Sequence, residues 1–320
     1  MSRFLPSSRA GTGLALGVFC YTLWGLFPLY FHALSAYSPI EIVANRVVWS
    51  LVLMAIIISI GRTWPGTIAL FRQRRIVGPL AVAAVLLAIN WGVYVWAVTI
   101  GQVLQASLGY FFNPLVSVLL GVVVLHERLR PVQWVAVAIS AVAVLVLSIG
   151  YGHVPWIGLV LAVSFGLYGL IKKRVGIGSV ESLTIETAVI APVALAVMAA
   201  FLVRGTSAVE QHGTIGVIAL ILLGPVTAIP LLAFGGAATR IPLSTLGLLQ
   251  YLTPIVQFIL GYAVFHEVMT PARWVGFVLV WIALAVFSVD SIRHLRRQRS
   301  MAASTTEGDA LDELAVVEPD

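Results

Sequence analysis

Ten runs of apolar residues, each long enough to cross a hydrocarbon layer as a helix, divide this chain, and no other feature restricts its fold so strongly. A helix rises 1.5 Å per residue, so a hydrocarbon core of about 30 Å needs about 20 residues. The runs lie near 14–34, 40–60, 77–98, 103–125, 132–149, 155–171, 182–203, 214–238, 243–265 and 272–289. A membrane barrel would instead show segments of about ten residues alternating apolar and polar, and these runs do not alternate. The expected fold class is all-α integral membrane, with ten transmembrane helices. The first run follows Arg3 and Arg9 as a secretion signal would. It is too long and lacks a small-residue cleavage site, so it is expected to stay as span 1.

Composition agrees: 60% of the 320 residues are hydrophobic and 10% charged, with a mean hydropathy of +1.02, whereas soluble domains carry about 25% charge. A net charge of +6 would suit nucleic acid if the cations clustered on one surface. They segregate by loop instead. With a cytoplasmic N-terminus, sixteen of the nineteen fall on inner segments, including Lys172, Lys173 and Arg174, while the outer loops hold Arg204 and Arg273 and Arg46 lies within span 2. This bias predicts both termini in the cytoplasm, residues 1–12 forming a short inner segment. Cys20, the single cysteine, excludes an intramolecular disulfide and a cysteine metal cluster. Residues 291–320 turn from basic to small, polar and acidic, the composition of a disordered tail.

The chain also repeats itself at an offset of 140 residues. Pro114 falls on Pro254, Gly121 on Gly261, His126 on His266, Glu127 on Glu267, Pro131 on Pro271, Trp134 on Trp274 and Glu41 on Glu181. Residues 13–150 and 151–290 thus read as two repeats of five spans. An odd number of crossings makes the second copy enter the membrane from the opposite side, and such inverted pairs are the architecture of many secondary transporters, with the site near the midplane.

Within the repeats a polar stripe stands out. Ala106, Tyr110, Asn113 and Ser117 share one face of span 4, and their mates Leu246, Gln250, Thr253 and Gln257 share the equivalent face of span 9. Amides and hydroxyls turned to lipid would be costly, so the stripes are expected to line a central cavity. Pro114 and Pro254 kink these spans and leave the carbonyls of Tyr110 and Gln250 without their helical donors. Weaker signals add Trp24 from span 1, Asn90, Trp91 and Tyr94 from span 3, Tyr168 from span 6 and Thr227 from span 8.

Arg46 and Glu186 are charges inside spans and mates at the same offset. Counting helical rise places their backbones about 10 Å apart in depth. We therefore expect Arg46 to anchor an anionic substrate group and Glu186 to carry a proton. Glu41, Glu127, Glu181 and Glu267 sit at span ends, where they are expected to cap helices or meet water.

Taken together, the doubled five-span layout, the proline-bearing spans 4 and 9 and the HE pair after each resemble the EamA-like families of the drug/metabolite transporter superfamily. Asn90–Val98 (NWGVYVWAV), Gln105–Leu115 (QASLGYFFNPL) and Ser244–Pro254 (STLGLLQYLTP) are similar to its RarD branch of chloramphenicol-sensitive proteins. That resemblance, over about residues 12–290, implies a bacterial inner-membrane permease of ten helices for small metabolites or drugs.

Rival classes fare worse. The chain has no GxxxxGK phosphate loop and no histidine pair to hold a metal, so neither a nucleotide-driven pump nor a metal-dependent intramembrane enzyme is expected, and no cofactor. A non-transporting sensor or assembly protein would need no symmetric cavity. The expected partners are a small-molecule substrate and the lipid bilayer, and the lipid-like faces of spans 5 and 10 leave room for a homodimer. If the repeats are inverted, single cysteines placed at His126 and His266, with Cys20 replaced by Ser, will react with an impermeant thiol reagent from opposite sides of the membrane.

Overall fold

A computed structural model of the protein describes residues 6–34, 37–99, 103–149 and 156–264, with positions 271, 274–276, 278, 279, 281–283, 285–287, 289, 290 and 293 of the last segment. His266, Glu267 and, apart from Arg293, the tail lie outside the described residues. So does the Tyr110 side chain. Every regular element among the described residues is helical: α1 (Pro6–Ala33), α2 (Pro39–Gly61), α3 (Trp64–Phe71), α4 (Arg74–Thr99), α5 (Val103–Leu125), α6 (Pro131–Ile149), α7 (Trp156–Val175), α8 (Ser179–Val203), α9 (Ala208–Ala238), α10 (Leu243–Leu249) and α11 (Leu252–Ala263).

Six helices among the described residues are long and apolar enough to cross a membrane: Arg9–Tyr30, Pro39–Gly61, Arg74–Tyr94, Trp156–Val175, Ser179–Val203 and Gly213–Ala238. Phe111–Leu125, Pro131–Val146 and Trp274–Phe287 are shorter apolar helices. Large apolar side chains such as Ile60, Val123, Val193 and Ile215 are well exposed around the bundle, as a lipid-facing surface requires.

Two elements depart from the sequence expectation. The loop expected after span 2 contains α3, eight residues long, with Trp64, Ile68 and Phe71 exposed. It is too short to span and too apolar to stay in water, the character of a helix lying at an interface.

The ninth run is split at Gln250 and Tyr251, between α10 and α11. Pro254 does remove the usual donor to the Gln250 carbonyl, but the expected bare acceptor is not there. The Thr253 N–H donates to it at 3.1 Å, while the Gln250 and Tyr251 N–H groups donate to Gly247 and Leu248 at 3.1 and 3.3 Å. The chain tightens into a three-residue repeat, which recovers the bond that proline breaks. Span 4 behaves differently, since α5 runs through Pro114 without a break.

Helix packing sets where a site can form. α2 lies between α8 and α9, α5 between α7 and α10, α1 between α9 and α11, and α4 between α7 and α8. Glycine sets the closest approaches, as expected where no hydrophobic force drives helices together and contact has to be tight. A Cβ on Gly224 of α9 would sit 2.6 Å from the Trp49 carbonyl oxygen of α2, and one on Gly247 of α10 would sit 2.6 Å from the Ser117 Cβ of α5.

One end of the bundle is clasped. Glu127, just past α5, accepts the backbone N–H groups of Leu243 and Ser244 at 2.8 and 3.0 Å and the Ser244 hydroxyl at 2.7 Å. These amides belong to the first turn of α10, which has no helical acceptor for them and carries partial positive charge. Lys173 of α7 stands 3.7 Å from the same carboxylate and donates to the Ile241 carbonyl at 2.6 Å. Capping, one of the two roles expected of Glu127, is thus what it does, and across the bundle. Glu127→Ala will lower the melting temperature of the purified protein by an amount equivalent to about 1.5–3 kcal/mol, with Glu127→Gln in between. Thermal unfolding in detergent measures this.

Candidate functional site

Helical spacing brings the site's side chains together. Trp24, Phe27 and Pro28 recur within a turn of α1, as do Asn90, Trp91 and Tyr94 on α4, and Gln250, Thr253 and Gln257 share a face around the α10–α11 break. With Asn113 of α5, Leu161 and Phe165 of α7, Leu231 of α9 and Arg46 of α2, they wall a pocket of about 140 Å³.

Several polar walls are tied to neighbouring helices. The Asn90 amide donates to the Leu161 carbonyl at 2.8 Å and to the Ser164 hydroxyl at 3.0 Å, joining α4 to α7. The Thr253 hydroxyl donates to the Tyr21 carbonyl at 2.9 Å, joining α11 to α1. Two groups are left over. The amide oxygens of Asn113 and Gln250 are buried without a hydrogen-bond partner, on residues only 5% and 4% exposed. Such a group costs about 1–3 kcal/mol, and it can be satisfied by an N–H or O–H donor on a molecule in the pocket.

Beside this pocket lies a larger, mainly apolar chamber of about 540 Å³ between α2, α4 and α8. It begins at Ser38, Pro39 and Ile40 in the first turn of α2 and reaches Glu186, Thr187 and Thr227. Arg46, Leu87, Trp91 and Leu231 line both cavities. Arg46 is thus the cation at their junction. Its Nε donates to the Thr227 hydroxyl at 2.9 Å, and its guanidinium carbon stands 4.1 Å from the Trp91 ring centre and 5.9 Å from that of Phe27. The hydrogen bond and two aromatic faces hold the planar head in one orientation. A guanidinium so held can bind a carboxylate or phosphate presented from either cavity.

The α2-start end of the chamber and the Glu127 clasp lie at opposite ends of the bundle. The chamber starts at the N-terminal turn of α2, and Ala44 and Val47 of α2 pack just below it against Ala194 and Val197 in the C-terminal half of α8. The N-terminus of α8, next to the end of α7 and the clasp, therefore lies at the far end.

Thr227, Ser117 and Tyr168 do not wall the smaller pocket. Thr227 faces the larger chamber and steadies Arg46. Ser117 is buried where α5 meets Gly247 of α10 and walls neither cavity, a correction that follows from the closeness of that helix contact. Tyr168 likewise walls neither cavity: fully buried, its hydroxyl donates to Glu186 Oε2 at 3.1 Å.

A further correction concerns Lys172, counted from sequence among the inner loop cations. It occupies the last turn of α7 with its ammonium buried, donating to Glu186 Oε1 at 2.7 Å and to the Ser182 hydroxyl. Glu186 supplies the counter-charge that lets a lysine fold inward. The signal was legible, because Phe165, Tyr168 and Lys172 are spaced three and four apart and share a helix face, as do Ser182 and Glu186. Phe27, three residues after Trp24, was legible in the same way. Leu161 and Leu231 carried none, being apolar residues in apolar spans. Among the described residues no three His, Cys, Asp or Glu side chains gather as a metal site.

Comparison with known proteins places this geometry in a family. The EamA-like transporter family matches residues 11–149 and again 154–289. Protein RarD of Streptomyces exfoliatus is 50% identical over 90% of this chain and 92% of its own length. An uncharacterized transporter of Vibrio cholerae is 40% identical over 89% of this chain and 94% of its own length. A protein of known crystal structure, 19% identical, shares the fold with a TM-score of 0.68 over 88% of this chain and 98% of that one.

The unpartnered amide at Gln250 leads to a testable outcome. Gln250→Met removes a buried acceptor and keeps the volume, so its melting temperature will equal or exceed the parent's, while any ligand-induced rise in melting temperature shrinks. A fall of the size seen for core cavities would mean that the amide only holds helices together.

Proposed function

The chain belongs to the EamA-like transporter family, within which it resembles the RarD proteins, and is a multi-pass membrane transporter; from that premise we propose that it is a secondary-active permease for small metabolites or drugs. In this reading it has ten spans arranged as two inverted five-span repeats, lies in the inner membrane and keeps both termini in the cytoplasm. Two observations support the repeats. The family matches each half separately. The helix neighbours also map onto one another when the halves are exchanged: α5–α7 becomes α11–α1, α4–α7 becomes α9–α1, and α2–α9 becomes α8–α4. The α2–α8 and α5–α10 pairs map onto themselves. A bundle whose contacts survive this exchange can adopt the mirror arrangement at similar cost, which alternating access requires.

The observation that carries the functional reading is the pocket of amides and aromatic rings joined through Arg46 to an apolar chamber inside a lipid-facing bundle. Such a site suits an amphipathic solute. In this proposal an anionic group meets Arg46, donor groups meet the amide oxygens of Asn113 and Gln250, and an apolar portion lies in the chamber. Trp24, Asn90, Trp91, Tyr94, Thr253 and Gln257 shape the walls, and Glu186, at the deep end of the chamber, is the candidate proton carrier. With the chamber extending to the start of α2 and the clasp at the other end, the positive-inside bias supports reading this as the outward-facing arrangement.

The test is flux. Purified protein screened by thermal shift against a metabolite library supplies ligands, and uptake of those ligands into liposomes under imposed proton or sodium gradients follows. Arg46→Gln will reduce uptake of anionic ligands at least tenfold, while Arg46→Lys retains a small part of it because lysine lacks the planar fork. Ligands that bind but never cross the bilayer under any gradient would favour a sensor over a permease.

A further inference from the structure

We propose that Lys172 and Glu186 form a proton-exchange pair, and that Tyr168 makes its protonation depend on what occupies the polar pocket. The proposal rests on the permease reading and names its coupling machinery. Its starting point is the ion pair itself, with side chains only 3% and 2% exposed. Pairs buried so deeply add little net stability, and apolar residues of equal volume often serve as well or better. A costly pair in a membrane helix bundle points to function.

The pair has access on one side and an exit on the other. Glu186 lines the chamber that extends to the start of α2. Lys172 stands in the last turn of α7, where the next two side chains already reach the clasped end: Lys173 to Glu127 and Ile241, and the exposed Arg174 to the Val124 carbonyl. The carboxylate now holds three donors, Lys172 at 2.7 Å and Ser182 at 2.8 Å on Oε1 and Tyr168 at 3.1 Å on Oε2.

A proton arriving through the chamber adds to Glu186, the carboxylate becomes a neutral acid, and the net charge of the pair rises from zero to plus one. An ammonium buried without its anion is strongly disfavoured. Either the proton returns to the chamber, or Lys172 withdraws toward water at the clasped end. The lysine stem lies against α9 at Gly235, where a Cβ would stand 3.3 Å from Lys172 Cε and 3.6 Å from Nζ, so the absent side chain leaves the stem unobstructed on that face. Protonation is thereby tied to loosening of the clasped end, the event that turns the transporter over.

Tyr168 supplies the tie to the pocket as a positioning residue. Its ring stacks on Phe234 at 5.6 Å and meets Phe165 at 5.7 Å, and Phe165 meets Trp24 at 5.4 Å. Phe165 and Trp24 are walls of the polar pocket. A solute that moves either ring moves the donor on Oε2. The other charged or titratable groups around the pair are Arg46 of α2, which lines the same chamber, Cys20 and Tyr21 of α1 in the same buried cluster as Tyr168, Glu181 of α8, and Lys173 with its partner Glu127 at the clasped end. From the α9 side the nearest charge is Arg240, just past the helix, whose guanidinium donates to the Gly236 carbonyl at 2.7 Å beside Gly235.

Infrared difference spectroscopy of the full chain in lipid nanodiscs, titrated with acid and no other ligand, tests this directly. Acidification will produce a carboxylic-acid carbonyl band that is missing in Glu186→Gln. In Lys172→Met the band will appear at a proton concentration at least tenfold lower, because the cation favouring the carboxylate is gone. Lys172→Arg will restore the parent titration, and Tyr168→Phe will shift it the same way as Lys172→Met by less. Should Glu186→Gln fail to fold around an unpaired lysine, the neutral double variant Lys172→Met/Glu186→Gln supplies the blank spectrum. A band that survives in the Glu186 variants, or a midpoint indifferent to Lys172→Met, overturns the pair. Because the readout is protonation, that result would leave the permease reading standing, whereas a chain that titrates as expected yet carries no solute would do the reverse.

Discussion

Hydrocarbon offers no hydrogen bonds, and the placement of nearly every polar group in this bundle follows from that. Backbone amides are satisfied within helices, and where Pro254 removes one donor the chain tightens so that Thr253 supplies another. Side chains are held by the same rule. Asn90 is tied to α7, Thr253 to α1, Glu127 to the first amides of α10, and Lys172 to Glu186 and Ser182. Among the buried side-chain atoms that lack a partner, the oxygens of Asn113 and Gln250 belong to two residues that wall one pocket.

The same rule explains why the two ends of the bundle differ. At the clasped end a single carboxylate satisfies two amides and a hydroxyl that a helix start would otherwise leave bare. At the other end α2, α4 and α8 stand apart around an apolar chamber that needs no such partners, because its walls are mainly Val, Ala, Ile and Leu. One end is thus held by charge and hydrogen bonds and the other by apolar contact, so water and charge act on the first far more than on the second. Arg46, stacked on Trp91 where the chamber meets the pocket, places a charge between an apolar cavity and a polar one.

Much of this was legible in the residues. The apolar runs announce a helical membrane bundle because no other spanning structure satisfies them, and the doubled Pro, Gly, His and Glu positions announce two related halves. Helical spacing also marked Trp24, Asn90, Trp91, Asn113, Gln250 and Gln257 as sharing faces, and the structure brings these faces around one pocket. Spacing misled where neighbouring helices touch most closely. Ser117 has the right phase for the pocket, yet Gly247 admits α10 so near that the hydroxyl is buried at the contact. Lys172 was misplaced because three basic residues in a row look like a loop edge, although the phase of Phe165, Tyr168 and Lys172 already pointed inward.

The sequence by itself determined the solvent, the element type and the residues that hydrocarbon could not tolerate unpaired, because those follow from transfer energies and a 3.6-residue period that act locally. Only the tertiary structure decided which partner each buried group would have. Glu186 took Lys172 and Tyr168, Arg46 took Thr227 and Trp91, and Glu127 took the start of α10. Partner choice depends on the depth and rotation of helices far apart in the chain. A few glycines, Gly224 and Gly247 above all, set those by letting backbones approach more closely than any side chain would permit.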